Sequence, residues 1–257
     1  SSTVEVTGAL TLTRSGIEAT NGDLTVRAYS GDLSVNGSTI RAIGGGAFVD
    51  VAASGSVAIE GDSDLANTSG SILFVTAHGG DVRVDALGGS TSSNVNGSGP
   101  SCSTGIVAAQ DILIHADADV AGELGLSLTA QRDIIVRGDP LLRSGTHPMT
   151  IRASGVLSVG PHAAGPLPTL VFGDLYATAD GTGASSVAFG FTGTTGPVTL
   201  LSRGALTVTG SLTAGGDVSI ASLEGGVTAA AAAIATSDAP AGDSSDVEIA
   251  SWAGCGT

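Results

Sequence analysis

One short unit recurs along this chain and constrains the fold more than any other feature: a glycine or aspartate, then apolar, polar and apolar residues. It reads Gly22-Asp23-Leu24-Thr25-Val26, Gly31-Asp32-Leu33-Ser34-Val35 and Gly80-Asp81-Val82-Arg83-Val84, and returns as Gln110-Asp111-Ile112-Leu113-Ile114, Gly155-Val156-Leu157-Ser158-Val159 and Gly216-Asp217-Val218-Ser219-Ile220. Alternation with period two and β-branched residues is the signature of a half-buried strand. Copies are spaced 9 or 10 residues apart in close pairs (22 to 31, 70 to 80) and 22 to 24 apart otherwise (31 to 55, 110 to 132, 132 to 155). A repeat of that length holding two or three short strands predicts a β-solenoid, whose coils bury their apolar residues only by stacking. The expected fold is therefore all-β: a single right-handed parallel β-helix over residues 1–257, of about 11–12 coils at one coil per ~22 residues. A β-sandwich, whose strands also recur every 8–12 residues, is the alternative. It fits less well, because the only Trp is Trp252 and the frequent dipeptide is Gly-Asp before strands, not the Asn-Gly or Asp-Gly of hairpins.

The 40 glycines among 257 residues are read as corner residues, where a tight bend calls for positive φ. Three stretches depart from the pattern and are expected as projecting loops, near residues 88–105, 138–168 and 179–197. Helix signals are nearly absent, and the Ala229–Ala233 run is read as a tightly packed small-residue coil or cap.

Charge narrows the function. All nine basic residues are Arg, against 24 acidic ones, for a net charge of −15. Such a field repels phosphate backbones and anionic lipid heads, so neither nucleic-acid binding nor membrane insertion is expected, and no apolar run approaches the length of a membrane span. The absence of lysine removes lysine-based catalysis and lysine cross-links. Because the sequence opens on Ser1, it is read as a processed or excerpted chain.

The run from Gly204 to Ile220, GALTVTGSLTAGGDVSI, and the stretch from Gly22 to Ile43 resemble the repeats of filamentous-haemagglutinin-type exoproteins. That resemblance implies a bacterial β-helix secreted to the cell surface and serving as an adhesin or stalk. The reading that follows is a non-enzymatic extracellular structural or adhesive protein, a surface adhesin or a filament or matrix subunit. Self-association by end-to-end stacking of coils is expected, with host or matrix polysaccharide as a further partner. The alternative is a polysaccharide-binding or polysaccharide-degrading β-helix of lyase or tail-spike type, with a groove holding Arg132, Arg143 and Arg152.

No catalytic residue is assigned: there is no Gly-x-Ser-x-Gly elbow, and the serines and histidines show no triad spacing. No cofactor is expected, with calcium the one ion considered. Asp62 and Asp64, and Asp117 and Asp119, are Asp-x-Asp pairs that can share Ca²⁺ with turn carbonyls. Against this, aspartates that follow glycine recur at 23, 32, 81, 174 and 217, as expected of turn residues that accept backbone N–H groups. His78, His115, His147 and His162 are dispersed and are read as surface imidazoles. Cys102 and Cys255 are candidates for a disulfide or cross-link. They lie about seven coils apart, roughly 30–35 Å on a straight solenoid, where a disulfide needs Cα atoms within about 7 Å. The open possibilities are a folded-back tail, a bond between molecules, or a free thiol. Asn36, Asn67 and Asn96 each fit the glycosylation acceptor pattern.

Overall fold

A computed structural model describes residues 1–44, 47–68, 70–85, 93–99, 101–115, 118–138, 140–145, 148–160, 169–171, 175–180, 186–189, 196–208, 212–229, 234–236 and 246–251. Among these residues every regular element is a strand, and every strand pair is parallel. The strands form sheets of eleven, ten and seven members and one two-stranded sheet. Consecutive strands fall in different sheets, so one turn of chain visits the first, second and third sheets before returning to the first. Seven successive coils supply all three large sheets, and eleven supply the first. This is a β-solenoid, complete in all three sheets over about seven turns where 11–12 coils were expected. Parallel pairing throughout removes the sandwich alternative, whose sheets are antiparallel.

The alternation in sequence becomes an inside and an outside. In Leu24–Ala28 the residues Leu24, Val26 and Ala28 are buried while Thr25 and Arg27 are partly exposed. Stacking puts like residues in columns: Leu33, Val57, Val82, Ile112, Ile134 and Leu157 are in-register partners down the second sheet. All six are fully buried in one continuous apolar cluster that runs from Ala19 to Ile220.

The corner glycines have two jobs, and only one is the expected one. At the exit from the second sheet the chain turns through positive φ at Arg14, Gly37, Gly61 and Gly138, with Asp62 following at 58°. At the entry to the second sheet, Gly55 and Gly155 do not have positive φ. There the side chain of the previous coil reaches up to the backbone: Asp32 Oδ1 accepts from Ser56 N at 2.7 Å, and Asp133 Oδ1 from Val156 N at 2.8 Å. A Cβ on Gly55 or Gly155 would run into that carboxylate oxygen. The Gly-Asp signature thus encodes inter-coil stitching: aspartate of one coil caps an amide of the next, and glycine leaves room for it.

Strands occupy described parts of the stretches expected as loops, whose residues 88–92, 100, 139, 146–147, 161–168, 181–185 and 190–195 lie outside the described residues. Asn94–Gly97 and Ser103–Ala108 lie within or across 88–105, three strands (Leu141–Ser144, Met149–Ala153, Val156–Gly160) fall within 138–168, and Ser186–Phe189 falls within 179–197. The register explains why the pattern looked broken. Leu73 pairs with Thr104, a step of 31 residues, where Val49 to Leu73 takes 24 and Thr104 to Leu126 takes 22. The extra residues enlarge a coil between strands without ending the stack. Strands Val227–Ala229 and Ile234–Thr236 flank the alanine run, whose residues 230–233 lie outside the described ones.

Candidate functional site

The outer face of the first sheet holds a cleft of about 320 Å³ lined by Arg27, Tyr29, Asp50, Ser54, Thr76 and His78 over a floor of alanines. The register builds it. Arg27, Ala52 and Thr76 are in-register partners on three successive strands, so a long side chain is followed by short ones and a depression opens between them. Tyr29, Ser54 and His78 continue that depression at the corners where the same strands end. Arg27 Nε donates to Asp50 Oδ2 at 2.9 Å, and Tyr29 Oη donates to Glu5 Oε1 at 2.7 Å. Asp50 is 7% exposed although its position faces outward, whereas Tyr29 is 53% exposed. The hydrogen bond to Asp50 is the main cause that strengthens the protonated state of Arg27, ahead of one to the Tyr29 hydroxyl oxygen. Beside Asp50, the Phe48 and Phe74 rings lie 6.5 Å apart at 52°, and Phe74 rests over Gly105, where a Cβ would come within 2.5 Å of the ring.

A second polar cluster lines the outgoing edge of the second sheet, where Glu60, Asp85, His115 and Arg137 are in register. Arg83 Nη2 donates to nearly buried Asp85 at 2.8 Å and its Nε lies 3.4 Å from Glu60, while His115 Nδ1 is 3.6 Å from Asp85. Burial lowers the His115 pKa and outweighs the opposing pull of Asp85. His115 is therefore a half-buried member of a charge ladder, not an isolated surface imidazole.

The residues singled out from sequence are dispersed by the coil. Arg132 sits at the corner between the first and second sheets, where its Nε donates to Asp111 Oδ1 at 2.6 Å. Arg143 belongs to the third sheet, beside the Asp119 whose carboxylate it influences. Arg152 lies on the first sheet, 2.6 Å from Asp180. The three arginines thus sit at a corner, on the third sheet and on the first sheet, each beside a different carboxylate. Asp64 pairs with Arg41 at 3.3 Å, and Asp62 occupies the positive-φ turn before it. Asp119 stands in the same column as Asp64 with Asn94 between them. Burial raises the Asp119 pKa, and its Oδ1 has no hydrogen-bond partner. Asp117, His147, His162 and Cys255 lie outside the described residues. Among the described residues no three His, Cys, Asp or Glu side chains converge on one point.

Cys102 does not project from a loop: it is fully buried in the apolar core. Burial pushes its thiol up to about 11, so at pH 8 only roughly one molecule in a thousand carries the reactive thiolate. Native protein is expected to resist maleimide at Cys102 and to be labelled there fully once unfolded in urea, as read by peptide mass spectrometry. Rapid labelling at residue 102 in the native state would show that this part of the core is open. Asn67, one of the glycosylation-pattern residues, is likewise fully buried.

The Asp111 carboxylate has a pH consequence. Its pKa is lowered first by Arg132 and also by the amide of Asp133, which donates to Oδ1 at 3.0 Å. A depressed folded-state value means that folding favours the ionised form. The stabilisation is therefore complete above about pH 4 and fades as pH falls through the folded value. Asp111→Asn is expected to melt lower than the unaltered protein at pH 7, with the two midpoints converging as pH falls below the ordinary carboxylate range. A gap that stays constant across that range would assign the loss to packing.

The residues of the cleft were legible in principle. Asp50 stands two residues before Ala52, the in-register partner of Arg27, so an outward basic residue and an outward acidic residue 23 apart meet diagonally across adjacent coils. No protein-family model matches the chain, and no curated protein or solved structure is significantly similar to it.

Proposed function

We propose that the chain is a non-enzymatic structural or adhesive segment of a secreted or cell-surface protein, a stiff rod of the filamentous-haemagglutinin style. The observation that carries this reading is the use made of the arginines. Arg27, Arg41, Arg83, Arg132, Arg152 and Arg203 each pair with a carboxylate on the adjacent coil, six of the nine in the chain. One such exposed pair contributes only about 0.2–1 kcal/mol. Distributed along the axis, they oppose bending and slippage between coils, which is the demand placed on a stalk. Cations spent in this way are not gathered around an anionic substrate.

Self-association belongs to the same proposal, because a parallel ladder between coils of two chains would extend the rod with the hydrogen bonds already used within one. Small-angle scattering tests the rod: the eleven strands of the first sheet, at about 4.8 Å each, give a stack on the order of 50 Å long. A compact, near-spherical profile would remove the reading. Sedimentation velocity over a range of concentrations tests the assembly, with species larger than the monomer expected as concentration rises. Incubation with uronate polymers is expected to release no unsaturated sugars, and their appearance would favour a lyase.

A further inference from the structure

We infer that the cleft between Arg27, Tyr29, Asp50 and His78 on the first sheet binds a neutral saccharide. The inference gives the adhesive reading a ligand class, and it depends on that reading only for what the binding is used for.

A sugar ring has two kinds of surface, hydroxyl groups that need planar, fixed hydrogen-bond partners and C–H faces that pack on aromatic rings. The cleft supplies both within 320 Å³, a volume at the low end of small-ligand sites. The Arg27–Asp50 pair is a flat, preorganised array of donors and acceptors, held from below because Asp50 is almost fully buried. Ser54, Thr76 and His78 add hydroxyl and imidazole groups to the lining. Tyr29 stands exposed at the mouth, with its hydroxyl anchored on Glu5 and its ring left to pack against a ligand.

Charge selects the neutral class. The single cation in the cleft is already neutralised by Asp50, Glu5 lies close by, and the whole chain carries −15. A uronate or sulfated sugar would meet repulsion with no free cation to offset it.

The test is calorimetric titration of the full chain with linear hexamers of a hexose, an N-acetylhexosamine and a pentose, alongside hexagalacturonate. At least one neutral hexamer is expected to bind, and hexagalacturonate is not. Tyr29→Ala and Asp50→Asn are each expected to weaken binding by at least about tenfold. Tyr176→Ala removes an exposed aromatic elsewhere on the same sheet and is expected to leave binding unchanged. Asp50→Asn disturbs a buried pair, so Tyr29→Ala, at an exposed position, is the decisive variant. The proposal is overturned if no neutral hexamer binds, if hexagalacturonate binds more tightly than all of them, or if Tyr29→Ala binds as well as the unaltered chain. Scattering profiles of the same samples separate this outcome from failure of the rod, since an extended profile without sugar binding rejects the cleft alone.

Discussion

Replacing Asn67 by alanine is expected to lower unfolding stability by roughly 3 kcal/mol or more, because three backbone groups lose their partner together. Asn67 is fully buried at the corner between the third and first sheets. Its Nδ2 donates to the carbonyls of Ala47 at 2.9 Å and Ile72 at 2.8 Å, and its Oδ1 accepts from Gly70 N at 2.8 Å. One side chain thus ties two coils and the loop between them. Each buried polar group left unpaired costs about 1–3 kcal/mol. Gly70 belongs to the same arrangement, since a Cβ there would strike the Ala47 carbonyl. Asn67→Asp keeps the acceptor for Gly70 but sets a carboxylate against two carbonyl oxygens, so it is expected to be no better than alanine at pH 7. Urea midpoints of the two variants check this. A loss below about 1 kcal/mol for Asn67→Ala would mean that the corner relaxes and finds other partners.

The second large effect is expected at Ile112. It lies mid-column between Val82 and Ile134 in the second sheet and is fully buried. Ile112→Ala removes apolar area and leaves a cavity that the strands on either side hold open, for a loss of about 2–5 kcal/mol. The distribution of that loss is as informative as its size. In a stack whose coils touch only their neighbours, disruption stays near its origin before it spreads. Hydrogen exchange should therefore quicken first in the strands Val82–Asp85, Ile112–His115 and Ile134–Arg137 and leave distant coils protected. Uniform loss of protection along the rod would show that the coils unfold as one unit.

Much of the fold could be read from the chain because two periods coincide in it. Alternation of period two set the inward residues of Leu24–Ala28 and of strands like it, and the 22–24-residue return set which of them stack. The strands inside 88–105 and 138–168 escaped notice for the same reason. Segments such as Asn94–Gly97 carry too few apolar residues to announce a strand and form one because the neighbouring strands Asp64–Asn67 and Asp119–Gly122 template their backbone. Cys102 was misplaced with them: a Ser/Gly-rich context reads as exposed, yet the enlarged coil folds this residue inward. The cleft stayed hidden because its members come from three coils, and a depression arises from the order of large and small side chains down a column, which no single repeat displays.

By itself, the sequence determined that this protein coils, what faces inward, and that its surface is acidic with arginine as the only strong cation. Those properties depend on local periodicity and composition, which survive without knowledge of any neighbour. Only the tertiary structure decided what the corners do and where charges meet. Stacking brings residues 19 to 31 positions apart into contact, so the glycine of one coil is explained by the aspartate of another, and Arg27, Tyr29 and Asp50 become one site.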